Sequence, residues 1–98
     1  MSDATSGRDA NLAAYRLIRK KAFDHDLSRA AGRDAILDMR VERRIQKLAD
    51  LPKHHGYHAG GLIRCNWVAG VGDWAIIYEI VEAAHTVTLL RFLNLDKL

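Results

Sequence analysis

The stretch GLIRCNWVAGVGDWAIIYEIVEAAHTVTLLRF, residues 61–92, decides the fold. Three apolar runs are separated by two short breaks, Ala69-Gly70-Val71-Gly72 and Glu82-Ala83-Ala84. Runs rich in Ile, Val, Trp, Tyr and Thr and bounded by glycine predict strands, because β-branched and aromatic side chains suit a pleated, half-buried surface. The breaks are too short for crossover helices, so consecutive strands are expected to pair as antiparallel hairpins. The middle run, residues 73–81, is apolar on both alternating faces except at Glu79, which marks it as the central strand. Its neighbours carry Arg64, Asn66 and Arg91, polar groups expected to face a site on the sheet.

Upstream of the strands the period changes. In residues 34–49, Leu37, Val41, Ile45 and Leu48 recur every three or four positions, while Arg40, Glu42, Arg43 and Lys47 supply a solvated side. This predicts a helix closed by Pro52. Residues 23–31 predict a shorter helix with Phe23, Leu27, Ala30 and Ala31 on one face, Asp24 and Asp26 suiting the dipole of its first turn, and Gly32 as the break. The two form a helical hairpin whose apolar stripe can cover one face of the sheet. Residues 12–22 fit two patterns: Leu12, Tyr15, Ile18 and Ala22 fall at helical spacing, and the same segment alternates as a short edge strand would. Composition and pattern lean to helix there. Residues 1–10 are small and polar and are expected to form a loose tail, leaving 11–98 as one domain. Residues 52–60 read as a loop, 85 as the start of the last strand, and 93–98 as a short tail.

Ninety-eight residues with 49% hydrophobic content suit one globular domain with a modest core. The single cysteine, Cys65, excludes an internal disulfide framework and points to a reducing cytoplasm. No apolar run reaches the ~18 residues of a membrane helix, and the N-terminus lacks the basic start and apolar core of a signal peptide. The net charge of +3 and pI of about 9.3 suit a polyanion or an acidic protein partner.

Chemistry has few carriers. His54, His55 and His58 crowd the loop, but with one cysteine the ligand set for zinc is incomplete, and no metal is expected. These histidines either face water or supply an acid or base beside the sheet, His58 being the candidate, since an unperturbed imidazole titrates near ~6.5. Arg64 and Arg91 flank the central run; they either solvate an exposed face or form a cationic floor able to grip a phosphate. Asp73 either ends a turn or stands at the rim of that floor, and Tyr57, Trp67, Trp74 and Tyr78 either pack or offer faces for bases. No Ser-His-Asp spacing, phosphate-binding glycine loop or paired metal carboxylates stands out.

This order of elements resembles the RelE/ParE superfamily of bacterial toxins, and within it the YafQ-like branch. The resemblance rests on Phe23-Asp-His-Asp-Leu27, the Leu-spaced second helix, His58 before Gly60-Gly61, Asp73-Trp-Ala-Ile-Ile-Tyr78 and Val87-Thr-Leu-Leu-Arg91. It covers residues 15–92 and is most specific at Asp73–Tyr78. It implies an α+β fold, a helical hairpin on one face of a small twisted antiparallel sheet, and it favours residues 12–22 as an N-terminal edge strand. The implied activity is that of a type II toxin, a ribosome-dependent endoribonuclease cutting messenger RNA in the ribosomal A site. Its chemistry needs neither metal nor cofactor: the ribose 2′-hydroxyl attacks the adjacent phosphate. By position, the resemblance makes His58, Asp73, Arg64 and Arg91 catalytic; His54, His55, Tyr57 and Trp74 are expected to contact the RNA. It implies an acidic antitoxin partner. The sequence departs from the branch where a histidine follows the last-strand arginine, since Arg91-Phe-Leu-Asn-Leu-Asp-Lys-Leu98 has none, and where Ala69 replaces another. The competing expectations are a ParE-like inhibitor of DNA gyrase and an inert relative that only binds its antitoxin.

Overall fold

The computed structural model describes residues 14–58 and 66–97. The proposed tail at 1–10, Gly60-Gly61, Arg64 and Cys65 lie outside them. The chain runs β1 (Arg16–Arg19), α1 (Lys21–Ala31), α2 (Ala35–Asp50), β2 (Tyr57–His58), β3 (Trp67–Val71), β4 (Trp74–Val81) and β5 (Thr86–Asn94), with short 3-10 turns at Glu82–Ala84 and Leu95–Lys97. The sheet order is β1-β5-β4-β3-β2, so β4 does lie at the centre.

Both faces of β4 are buried, which explains its unbroken apolar run. Toward the helices, Phe23, Leu27, Val41, Ile45 and Leu48 pack on Ile76, Tyr78, Val87, Leu89 and Phe92. On the other face, Val68, Ala75 and Ile77 form a second buried cluster with Leu90 and Leu93 against it. Both helices form where the periodicity placed them. Asp34 caps α2 by accepting the Leu37 N–H at 3.0 Å, satisfying one of the four amide donors a helix start leaves open.

Residues 16–19 are strand, correcting the helical lean. β1 lies parallel to β5, in register Arg16 to Thr86 through Arg19 to Leu89, so the sheet is mixed at this edge. Tertiary pairing overrides propensity here: the N–H groups of Arg16 and Lys20 donate to His85 and Leu89 carbonyls at 2.9 and 3.0 Å. Ala22, the last member of the helical pattern, belongs to α1 instead. Strand β3 continues through Ala69, Gly70 and Val71, leaving only Gly72-Asp73 as the turn. A positive φ of 61° at Gly72 alone is the pattern of a type II′ hairpin turn, which asks for glycine at that place. His85 does not begin β5; it closes the preceding turn at φ 52° and stacks on Tyr15, centroids 3.9 Å apart. The loop after Pro52 contains the two-residue strand β2, and β5 extends through Asn94.

Candidate functional site

Arg91 occupies an irregularity in the sheet. Ile77 pairs with Arg91 and Tyr78 with Leu89, so Leu90 is an extra residue in β5, a bulge of the kind that re-aims a neighbouring side chain. Register sets Arg91 opposite Ile77 of the second cluster, yet its guanidinium reaches Asp26 on α1, donating from Nε at 2.6 Å and Nη2 at 3.1 Å. The same carboxylate accepts the Phe92 N–H at 3.0 Å. The Asp26 side chain is only 9% exposed and that of Arg91 is 52% exposed. The Arg91 fork, aided by the Phe92 amide, holds the Asp26 carboxyl below its usual range against the opposing effect of burial; Asp26 in turn raises Arg91. Asp26 is therefore an anchor for β5, in contrast to the dipole role expected of it. Asp24 pairs with Arg19 at 2.8 Å.

Around this pair lies a groove of about 360 Å³, lined by Asp26, Arg29, Ala30, Trp74, Arg91, Phe92, Leu93, Asn94 and Lys97. Trp74 stacks on Phe92 with centroids 5.2 Å apart and planes within 7°, and Phe92 meets Phe23 edge-on at 6.1 Å, so the indole is rooted in the core. The Leu95 N–H donates to the Asp73 carbonyl at 2.8 Å, tying the chain end that carries Lys97 to the turn before Trp74. Three cations, an aromatic face and an amide thus converge beside a carboxylate already taken by Arg91. Such a groove can hold a phosphate and stabilise charge developing on it.

The structure brings Arg91 and Trp74 together and places exposed Asp73 one residue from Trp74, on the turn. It sets the histidines apart. His58 lies on β2, opposite Trp67, its ring 5.3 Å from the indole. Three strand spacings separate it from β5, about 14 Å, so His58 and Arg91 do not share a pocket. Tyr57 is exposed opposite Val68 on the other face. His54 and His55 have ring centroids 6.5 Å apart, and His54 lines a separate hollow with Tyr15, Lys53 and His85. The convergence of a loop histidine with Arg91 is therefore corrected: β2 is an edge strand and β5 an inner one. Tyr78 is core, its hydroxyl donating to the Pro52 carbonyl at 2.6 Å, with burial pushing its pKa up to about 12. Sequence reasoning missed Asp26, Arg29, Asn94 and Lys97. Only Asp26 left a trace, as an acid between the core residues Phe23 and Leu27. Among the described residues, no group of three or more His, Cys, Asp or Glu side chains is placed to hold a metal. No described helix is long and apolar enough to cross a membrane.

Two helices laid on a sheet of this order recur in solved structures of the RelE and YafQ type, so the resemblance read in the sequence holds at the level of the fold. The toxin–antitoxin complex RelBE2 from Mycobacterium tuberculosis contains a chain with a TM-score of 0.70 at 23% identity, covering 83% of this chain and 98% of its own. A metal-bound toxin from Helicobacter pylori gives 0.61 at 23%, over 86% and 98%. YafQ from E. coli gives 0.58 at 12%, over 85% and 96%. No family model and no curated protein matches the sequence.

Proposed function

We propose that this chain is the toxin of a type II toxin–antitoxin pair and a ribosome-dependent endoribonuclease acting on messenger RNA. The observation that carries this reading is the groove in which Arg91, Arg29 and Lys97 surround a rooted Trp74. In it, a base stacks on the indole and the adjacent phosphate lies against Arg91. The 2′-hydroxyl attacks that phosphorus, its proton passes to a base, and the bond to the 5′-oxygen breaks as that oxygen gains a proton. The products are a cyclic phosphate and a free 5′-hydroxyl. Cations fixed where charge develops need no reorganisation during the step. Asp73, beside Trp74, is our candidate base. His58, His54, His55 and Tyr57 would serve RNA running across the β2 edge, and Arg64 keeps its proposed role through the sequence resemblance alone. With no histidine among the groove residues, the enzyme should be slow, since a placed acid or base typically contributes ~100-fold or more.

The partner in this reading is an acidic antitoxin. Ile36 and Met39, 65% and 47% exposed on α2, offer anchors for an amphipathic helix. A second reading, inhibition of DNA gyrase, is favoured by the closure of the Arg91 fork on Asp26. Inducing the chain in cells and mapping messenger ends separates them. Translation-dependent cuts support the nuclease. Intact messenger with blocked supercoiling by purified protein supports the gyrase reading, and unimpaired growth points to an inert antitoxin binder.

A further inference from the structure

Basic side chains also gather outside the Arg91 groove. Arg40, Arg43, Arg44 and Lys47 stand on α2 at spacings of three, four and seven, which places them on one face of the helix. With Val71 and Gly72 of the β3–β4 hairpin they line an open groove of about 330 Å³. Like charges at i, i+4 repel and weaken a helix, and acidic partners normally relieve this. Here Glu42 turns to Arg19, and among the described residues none of the four cations forms an ion pair. Gly72 brings no side chain to the hairpin side of the groove: a Cβ there would sit 3.8 Å from Arg40 Nη1. The hairpin turn separates this groove from the one lined by Trp74 and Arg91, so two cationic grooves flank a single turn.

We propose that the α2 stripe binds the phosphodiester backbone of helical RNA; this rests on the nuclease reading and names a second contact for it. The chemistry of the lining selects the ligand. Val71 is buried, and Ile36 and Met39, the exposed apolar residues of α2, are absent from the lining, so an acidic peptide finds charge there but no anchor. Nor does the lining contain an aromatic ring on which single-stranded bases would stack, unlike the Trp74 groove. Backbone phosphates on a shaped duplex remain, which guanidinium forks recognise without sequence. Arg40 to Lys47 spans about 10 Å along the helix axis, the run of about three phosphates on one strand.

The test titrates the full chain with an RNA hairpin, a uridine oligonucleotide and a polyglutamate peptide across a range of salt concentrations. The variants are Arg40→Gln/Arg43→Gln and the same pair with Arg44→Gln and Lys47→Gln. Thermal melting of each variant reports folding, and the double variant serves if the quadruple one unfolds. The expected result is hairpin affinity that falls with added salt, with the slope reduced by about 3 in the quadruple variant and about 1.5 in the double. Uridine binding should change less. An unaltered hairpin slope in a folded variant overturns the proposal, as does no hairpin binding by the native chain. Equal loss for uridine, or a larger loss for polyglutamate, overturns it in favour of single strands or an acidic protein. Messenger cleavage by the native chain is scored separately. Hairpin binding without cleavage sinks the nuclease reading and keeps the surface, whereas cleavage with an unaltered slope does the reverse.

Discussion

Asp26 accepts hydrogen bonds from two guanidinium nitrogens and one backbone amide while almost wholly buried. Removing it strands the Phe92 N–H at the bulge. Asp26→Ala should therefore destabilise the fold by about 2–3 kcal/mol, most of it from the amide and the buried carboxylate, since half-exposed Arg91 is screened by solvent. The pH dependence has a definite sign. The native pKa of Asp26 lies below its ordinary value of 3.8, so its stabilisation is whole above that value and is lost as pH falls below it through the native pKa. Melting curves of the native chain and Asp26→Asn should differ at neutral pH and converge in acid. Tyr78 behaves oppositely. Its native pKa is raised from 10.0 to about 12, so its contribution is complete below pH 10.0 and disappears as pH rises toward 12. Tyr78→Phe leaves the Pro52 carbonyl without its donor, which should cost about 1–2 kcal/mol near neutrality. That variant should also lose less stability than the native chain between pH 10 and 12, as measured by urea denaturation.

The strand β2 is held by close backbone approach. A Cβ on Gly56 would collide with the Tyr78 hydroxyl and come within 2.8 Å of the Val68 carbonyl. Gly56→Ala should push β2 from β3 and destabilise the protein by about 1–3 kcal/mol, with faster amide exchange at Tyr57 and His58 as the local sign. The inner elements were legible because their signals are local: Leu37, Val41, Ile45 and Leu48 repeat with a helix, and residues 74–81 are apolar on both faces because both are covered. The edges were not. β1 is four residues long, and its parallel partner begins 70 residues further on, at Thr86 facing Arg16 — pairing that no local pattern encodes. The two residues of β2 are too few to show alternation. Gly70 and Val71 looked like a break, yet they continue β3, because Gly72 alone supplies the positive φ the turn needs.

At the scale of the molecule, the proposed site is a groove between α1, the start of β4 and the end of β5. Arg91 and Trp74 were visible from the sequence as strand residues of unusual type. Their partners Asp26, Arg29 and Lys97 were not, since each looks like ordinary helix or tail charge until the fold folds it against β5. The histidines drew attention by crowding, but β2 carries His58 to the far edge of the sheet. Arg91 therefore carries the proposed chemistry. Its most direct test is the rate of messenger cleavage on translating ribosomes by purified native protein, Arg91→Gln and His58→Ala, with melting curves confirming that all three fold. Arg91→Gln should lower the rate by about 100-fold to 1,000-fold, the effect of removing one charge-stabilising donor, and His58→Ala by far less. Equal rates for the native chain and a folded Arg91→Gln variant, or a larger loss in His58→Ala, would contradict it.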